Sequence, residues 1–125
     1  MRVGRLLLSA ETNRVRKCIP AAARTWGLAR KAVNLFLRDA FYNRYLCRKY
    51  GLAKAEALFE IPLDSVVAKA LCCGFSDYTG LKWNGVGRLN WASSKRFQSL
   101  AAKRSKEKGI TRVNLDADIW VKNRR

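Results

Sequence analysis

The sequence predicts an all-α protein that forms a single domain over residues 1–125. Apolar side chains recur at three- and four-residue spacing from Arg30 to about Lys49, which is typical of an amphipathic helix. A second helical segment runs from about Trp91 to Lys108 and is followed by Gly109, a residue that often ends helices. Because 49% of the 125 residues are hydrophobic, the chain is able to build one core.

The residues before the amphipathic helix predict two shorter helices. Residues 9–18 read as a short polar helix, and Pro20 fits the first turn of a new helix that extends to Trp26. Gly27 would end that helix in the left-handed conformation that glycine adopts at low cost. Two helices joined by so short a turn form a hairpin, with Gly27 at its turn.

The middle of the chain predicts an extended segment followed by a capped helix. Pro62 disfavours helix at the residue before it, so residues 61–63 should be extended. Asp64 or Ser65 then caps a helix over residues 66–73. An aspartate in this position is most often only a cap. A carboxylate held there at the edge of a cleft could also stabilise positive charge on a substrate.

Two connections flank this region. Gly51 ends the amphipathic helix, and residues 52–59 predict a short helix of strong helix formers. Residues 74–90 are rich in Gly, Asn, Ser, Asp and Tyr, which predicts an irregular connection. Trp83 and Trp91 would hold this connection against the core.

The last segment, residues 113–121, fits two secondary structures. Its apolar residues alternate, which suits a strand. The spacing of Ala117, Trp120 and Val121 also suits a helix, and helix is favoured because the rest of the chain is helical. A basic, helical C-terminal region would then cover about residues 91–125.

Charge is the most unusual property of the chain. There are 26 Lys and Arg against 9 Asp and Glu, with no His and a net charge of +17, and such a field attracts nucleic acid first. Anionic membrane is the alternative, but the basic residues are spread over several segments and no stretch approaches the roughly 20 apolar residues of a membrane span. The first apolar run is too short for a secretion signal. We therefore expect an intracellular protein, cytoplasmic or nucleoid-associated.

The predicted helix from Trp91 to Lys108 carries the densest positive patch, opposite a narrow apolar face. A run of charges is often only a solvated helix face, and contact with phosphates is the alternative that this net charge supports. The apolar face consists of Phe97, Leu100 and Ala101, and the cations are Lys95, Arg96, Lys103, Arg104, Lys106 and Lys108.

The cysteines give no indication of a metal site. Cys18, Cys47, Cys72 and Cys73 include no Cys-x-x-Cys pair, and the chain has no His to complete a zinc site. We expect buried free thiols, which is the common state of an unpaired cysteine.

The stretch Gly27-Leu28-Ala29-Arg30-Lys31 has a physical rationale for DNA binding. A glycine turn lets a DNA backbone come close, and the amide groups at the start of the next helix then face a phosphate. Arg30 and Lys31 lie on that first turn. The alternative is an ordinary corner between helices that carries surface cations.

This stretch and Ile61-Pro62-Leu63-Asp64-Ser65-Val66-Val67 together resemble the helix-hairpin-helix DNA glycosylase superfamily, the group of endonuclease III and the 8-oxoguanine glycosylases. That family carries a Gly-hydrophobic-Gly-x-Lys hairpin and, downstream, a hydrophobic segment with an aspartate that opens another helix. Ala29 departs from the family's second hairpin glycine and Val66 from its usual histidine. The resemblance covers about residues 20–73, so it implies a fold truncated at its N-terminal side.

The resemblance implies a DNA-repair N-glycosylase with lyase activity that binds duplex DNA and excises a damaged base. Lys31 falls on the family's nucleophile and Asp64 on its essential carboxylate. Lys31, deprotonated with the help of Asp64, would attack C1′ of a flipped-out nucleotide, expel the damaged base as the bond from C1′ to the base breaks, and form a Schiff base, while Asp64 would stabilise the oxocarbenium-like sugar. Gly27, Ala29 and Arg30 would contact the DNA at the hairpin.

The resemblance also bears on cofactors and partners. It implies no required cofactor and no iron–sulfur cluster, and a monovalent cation at the hairpin is the only ion that it suggests. One alternative is a non-catalytic helix-hairpin-helix DNA-binding module, a degenerate or truncated glycosylase. Another is a basic RNA- or ribosome-associated protein, for which the sequence has no motif. A protein partner or self-association would complete the truncated fold.

Overall fold

The computed structural model describes residues 2–72 and 81–123, with side chains from residue 7 onward. No β-strand occurs within these ranges, which confirms the predicted all-α class. The α-helices are α1 (Arg2–Cys18), α2 (Trp26–Tyr42), α3 (Arg44–Tyr50), α4 (Ser65–Cys72), α5 (Trp91–Glu107) and α6 (Arg112–Asn123). Short 3₁₀ helices lie at Ala21–Ala23, Leu52–Leu58 and Val86–Arg88.

Helices α1 and α2 pack along each other as a helical hairpin, but its turn lies upstream of the predicted one. Pro20 precedes only the 3₁₀ turn Ala21–Ala23, so the helix predicted from Pro20 to Trp26 is not formed. Thr25 is the N-cap of α2, and its side chain accepts a hydrogen bond from Leu28 N at 3.2 Å. Because this cap starts α2 at Trp26, Gly27 lies inside the helix.

The prediction of a turn at Gly27 is therefore wrong. Among the described residues, the glycines with positive φ are Gly51, Gly85 and Gly109, so Gly27 does not adopt the left-handed conformation. Gly27 lies in the first turn of α2 and is buried.

The predicted amphipathic helix is interrupted at Asn43. Its backbone is extended there (φ −77°, ψ 115°), and its side chain accepts a hydrogen bond from Leu46 N at 2.9 Å, which caps α3. An asparagine side chain competes with helix continuation in this way. Gly51 (φ 62°) ends α3, as predicted. The short helix predicted for residues 52–59 is a 3₁₀ helix, Leu52–Leu58.

The segment before α4 is not helical, as its sequence predicts. Residues 61–63 are non-helical, and the Gln98 side chain bonds both backbone groups of Ile61 (Ile61 N to Oε1 3.0 Å, Nε2 to Ile61 O 2.7 Å). Asp64 then caps α4 by accepting from Val67 N at 2.9 Å, as predicted. The side-chain amide of Gln98 thus ties this segment to α5.

The hydrophobic core lies between this non-helical segment, α4, α5 and α6. The predicted apolar face of α5 is buried there, and the helix favoured for residues 113–121 is confirmed as part of α6. Trp83 packs edge-on against Phe97, with ring centroids 5.6 Å apart, whereas Trp91 is 51% exposed and does not anchor the connection. The largest core side chains include Ile61, Val67, Leu71, Phe97, Val113 and Leu115.

Several predictions fall partly outside the described residues. Of the irregular connection predicted for 74–90, residues 81–90 are irregular apart from Val86–Arg88, and residues 73–80 lie outside the described ranges.

The expectation of buried thiols is wrong for Cys18, which is exposed, and Cys47 and Cys72 are only partly buried. None of the helices in the described part of the chain combines the length and apolarity needed to cross a membrane.

Candidate nucleic-acid interface

The outer face of α5 presents a row of exposed cations. Lys95, Arg96, Lys103 and Lys106 are all exposed. At 100° per residue they fall within about one third of the helix circumference, and they extend over about 16 Å of its length. The opposite side of α5 is buried against the core through Phe97 and Ala101. We call these four residues the α5 cationic face.

Two acidic side chains form ion pairs with cations outside this face. Glu11 pairs with Arg14 at 3.1 Å, and the carboxylate of Asp118 binds both Lys108 and Lys122. The hydrogen bond from Lys108 lowers the pKa of Asp118 below its usual value. Asp118 thereby compensates part of the positive charge at the C-terminal end of α5.

Arg104, a predicted member of the basic patch, lies on a different side of α5. It is only partly exposed and lines a small cavity with Lys108, Asp118 and Lys122, next to α6. Its position follows from helical geometry, because residue 104 lies about 180° from residue 95 and about 80° beyond residue 96 around the axis. Arg104 therefore does not belong to the α5 cationic face.

Arg30, predicted to contact DNA, is buried in a polar network. It is 5% exposed, and its guanidinium donates to Glu60 through Nε (2.9 Å to Oε1) and Nη2 (3.2 Å to Oε2). Nη1 donates to Thr12 Oγ1 at 2.8 Å, and the guanidinium also lies over the Trp26 ring, 5.2 Å from its centroid. Asn34 Nδ2 donates to Glu60 as well, at 3.0 Å. Arg30 is thus a structural ion-pair residue, and its prediction as a surface DNA contact is wrong.

Gly27 and Ala29 are also absent from the surface. Ala29 is 0% exposed, and Gly27 packs against the 3₁₀ turn Val86–Arg88. A Cβ built on Gly27 would lie 2.0 Å from Val86 O and 2.8 Å from Leu89 Cβ. Because Gly27 has no side chain, helix α2 and the 3₁₀ turn can approach each other closely. The sequence prediction had assigned this close approach to a DNA phosphate.

The predicted catalytic pair is not joined by a direct contact. Lys31 is partly buried on α2, and no described residue forms an ion pair or hydrogen bond with its ammonium group. Asp64 is partly exposed, and its carboxylate caps α4 through Val67 N. The predicted cap is confirmed, while the predicted chemistry of both residues stays a prediction.

Asp116 is a buried charged residue that the sequence interpretation missed. It is 1% exposed, and its Oδ2 accepts a hydrogen bond from Arg38 Nη1 at 2.6 Å. Burial raises the pKa of Asp116, the nearby negative charge of Asp64 acts in the same direction, and the hydrogen bond from Arg38 opposes both. In the sequence, Asp116 lies three residues from both Val113 and Ile119, which are buried. A carboxylate at helical spacing between two apolar residues was the signal that could have predicted its burial.

Tyr42 joins the same region. Its hydroxyl donates to Val113 O at 3.0 Å and lies 3.1 Å from Asn114 Oδ1. Burial raises the pKa of Tyr42, and the negative charge of Asp116 adds to the effect. Tyr42 and Arg38 together connect α2 to α6.

The structure offers no metal-binding group among the residues that it describes: no three His, Cys, Asp or Glu side chains are arranged to hold an ion. The monovalent cation suggested for the hairpin lacks its predicted site, because Gly27 and Ala29 belong to a continuous helix. Comparison with known protein families, curated proteins and solved structures found no match to this chain.

Proposed function

We propose that the protein binds duplex DNA through the α5 cationic face. The observation that carries the proposal is the alignment of Lys95, Arg96, Lys103 and Lys106 on one exposed side of a 17-residue helix, in a chain of net charge +17. Lysine and arginine side chains bind phosphates and release the counterions condensed on DNA, which makes such a face a source of affinity for any sequence.

The dimensions of the face suit B-form DNA. Its length of about 16 Å spans roughly five phosphates of one strand, which are about 3.4 Å apart along the helix axis. The major groove of B-DNA, about 12 Å wide, admits an α-helix. The major groove of A-form RNA is deep and narrow, so a basic helix face has less access to it.

Salt dependence of binding tests the proposal. If four phosphates are neutralised, the affinity for a duplex should fall by about 150-fold between about 50 and about 200 mM salt. Fluorescence anisotropy of a labelled duplex measures this, with an RNA duplex of the same sequence as the comparison. A salt-independent affinity, or no binding at low salt, would contradict the proposal.

A second candidate is the glycosylase/lyase activity that the family resemblance implies. One observation favours it: Lys31 is partly buried, and its ammonium group has no ionic or hydrogen-bonding partner among the described residues. Its nitrogen is therefore available to a ligand. Asp64, held by Val67 N, would supply the carboxylate if bound DNA or a change in conformation brought the two groups together.

Trapping of the Schiff base tests this activity. Borohydride should reduce an imine between Lys31 and an abasic-site duplex to a covalent adduct. Lys31→Gln should abolish the adduct while changing duplex affinity by no more than about 1 kcal/mol. Asp64→Asn keeps the cap, since Asn caps helices about as well as Asp, and should slow base release while the fold is retained. Binding without trapping would leave the protein as a non-catalytic DNA-binding module.

A further inference from the structure

An apolar groove of about 680 Å³ lies between α1, α2 and the 3₁₀ helix Leu52–Leu58. Val15 of α1, Val33 of α2 and Phe59, which follows the 3₁₀ helix, are among its lining residues. Of the described residues that line the groove, Glu11 alone carries a charge. Small-molecule sites usually add several convergent polar groups to an apolar lining. The composition of this lining therefore favours a ligand that needs apolar contacts more than hydrogen bonds.

Two large apolar side chains at this groove are exposed to solvent. Leu7 of α1 is 61% exposed and Phe36 of α2 is 70% exposed, although both residue types are usually buried. Apolar side chains that remain exposed around a concave surface are typical of sites that bind another molecule. Leu7 and Phe36 are thus candidates for contacts with a ligand.

The dimensions of the groove suit an α-helix. The lining residues on α1 extend from Leu7 to Val15, which is about 12 Å along the helix axis. Apolar side chains at positions i, i+3 or i+4, and i+7 of a ligand helix extend over about 10.5 Å, so one such row fits this length. A helix also forms most of its backbone hydrogen bonds internally, so an apolar groove is able to bind it without supplying polar groups.

The elements around the groove expose more basic than acidic side chains. Among the described side chains of α1, α2 and the 3₁₀ helix, the exposed carboxylates are Glu11 and Asp39, and each already pairs with an arginine of its own helix. This excess of positive charge favours an acidic ligand. The exposed cations on the same elements are Arg14, Arg16, Lys17 and Lys54.

Two of these cations lie next to the lining residues. Arg14 is seven residues after Leu7 and therefore lies within about 20° of it around α1, and its side chain is 73% exposed. Lys54 directly precedes Ala55, which lines the groove. A second copy of this chain is a poorer ligand, because it carries the same net charge of +17 and like charges repel.

We propose that this groove binds an acidic amphipathic helix of a partner protein. The apolar side chains of that helix contact Leu7 and Phe36, and carboxylates at its edges lie near Arg14 and Lys54. The inference goes beyond the proposed DNA binding and does not depend on it, because the groove and the α5 cationic face share no residue.

A synthetic peptide tests the inference. The probe is an acidic amphipathic helix of about four turns, with leucines at i, i+3, i+4 and i+7 and glutamates on its other faces. The control peptide has the same composition in an order that distributes the leucines all round the helix. We expect the amphipathic peptide to bind about tenfold more tightly, because burial of one leucine side chain accounts for a factor of that size. Isothermal titration calorimetry measures both affinities, and equal affinities would contradict the inference.

Phe36→Ser tests whether the peptide binds in the groove. Because Phe36 is largely exposed, this change should leave the melting temperature unaltered while it lowers the affinity for the peptide by about tenfold. Leu7→Ser, on the other helix, should lower the affinity as well. Tyr45→Ser is the matched control: Tyr45 is 68% exposed, lies on α3 and is not a lining residue, so the affinity should stay within about twofold of wild type. Equal affinities of Phe36→Ser and Tyr45→Ser would overturn the assignment.

A peptide with lysine in place of glutamate tests the predicted acidity of the partner. It should bind about tenfold more weakly than the acidic peptide at about 50 mM salt, and the difference should shrink at about 500 mM because salt screens exposed charges. If both peptides bind equally at low salt, the acidic character of the partner is refuted.

Three further outcomes would overturn the inference. Loss of peptide binding in Lys103→Gln/Lys106→Gln, with binding retained in Phe36→Ser, would place the peptide on the α5 cationic face. A dimer in sedimentation equilibrium that Phe36→Ser abolishes would assign the groove to a second copy of the chain. Binding to vesicles of phosphatidylcholine and phosphatidylglycerol that Phe36→Ser abolishes, without binding of the peptide, would assign the groove to an anionic membrane. Duplex binding is measured without the peptide, so failure of this inference leaves the proposed function in place.

Discussion

Arg30 and the α5 cationic face carry the same kind of charge in opposite surroundings. Arg30 is 5% exposed and bound to Glu60 and Thr12, whereas all four cations of the α5 cationic face are exposed. Arg30 forms an ion pair inside the protein, while the side chains of the α5 cationic face lie at the solvent-exposed surface. The difference in exposure separates a cation that stabilises the fold from cations that solvent and ligands can reach.

The two sequence stretches that resemble the DNA glycosylase superfamily also differ in how well their sequence predicts their structure. Asp64 performs the local role that its sequence predicts, because an N-cap depends only on the next three residues. Gly27 and Arg30 do not, because their partners Val86 and Glu60 are distant in sequence. A short motif therefore predicts local geometry better than it predicts exposure.

Removing Arg30 should produce the largest change in stability. Arg30→Met leaves the mostly buried carboxylate of Glu60 without its cation, and breaking such a pair from one side costs about 3 kcal/mol or more. Chemical denaturation followed by circular dichroism measures the loss. Lys106→Met is the matched control on the α5 cationic face, and an exposed site of this kind should change stability by no more than about 0.5 kcal/mol.

The double variant Arg30→Met/Glu60→Met sharpens this test. Removing both charges should recover part of the stability lost in Arg30→Met, because the buried charge left uncompensated is then gone. If Arg30→Met instead kept wild-type stability and weakened duplex binding, Arg30 would be a DNA contact and the comparison would fail.

Adding a methyl group at Gly27 should have the next largest effect. Gly27→Ala places Cβ 2.0 Å from the backbone oxygen of Val86, so the 3₁₀ turn must move, and overpacking of this kind costs about 2 kcal/mol. Gly87→Ala is the control, because nothing lies within 4 Å of a Cβ there. Thermal unfolding of both variants would show the difference. Equal melting temperatures would mean that Gly27 is not a packing residue.

The pH dependence of Asp116 is the smallest effect and has a defined sign. Burial raises the pKa of Asp116 above 3.8, so the folded state holds this proton more tightly than the unfolded chain does. The contribution of Asp116 to stability therefore falls as pH rises from about 3.8 to the raised pKa. The stability of wild type relative to Asp116→Asn should decrease over that interval, by at most about 1.4 kcal/mol per pH unit.

Asp118 provides the opposite sign for comparison. The hydrogen bond from Lys108 lowers the pKa of Asp118 below 3.8, so its contribution to stability is lost as pH falls through that lowered pKa. Wild type relative to Asp118→Asn should therefore gain stability as pH rises toward 3.8. Urea denaturation at a series of pH values measures both slopes, and two slopes of the same sign would contradict the assignments.

Local signals predicted much of the fold. The limits of α5, the ends at Gly51 and Gly109, and the cap at Asp64 all depend on residues within one or two turns. The interruption at Asn43 also had a local signal, because asparagine is a common N-cap residue. The sequence prediction gave more weight to the apolar periodicity on both sides of Asn43 and therefore predicted one continuous helix.

The candidate site was harder to predict than the fold. The exposed cations of α5 follow from helical periodicity, since the buried stripe through Phe97 and Ala101 fixes which side faces solvent. The burial of Arg30 could not be predicted in this way, because Glu60 and Thr12 reach it only after α1, α2 and the segment before α4 have packed together. Whether a protein partner or self-association covers the exposed Leu7 and Phe36 stays a prediction.

The salt dependence of two charge-matched variants tests the central claim most directly. In one, Lys95, Arg96, Lys103 and Lys106 of the α5 cationic face are replaced by Gln. In the other, four exposed cations on and beside α3 are replaced by Gln: Arg44, Arg48, Lys49 and Lys54. We expect the slope of log affinity against log salt to become shallower by about 3.6 in the α5 variant and by less than about 1 in the control, since each phosphate contact contributes about 0.9. Equal changes in the two variants would show that binding follows net charge alone and would contradict the assignment of the interface to α5.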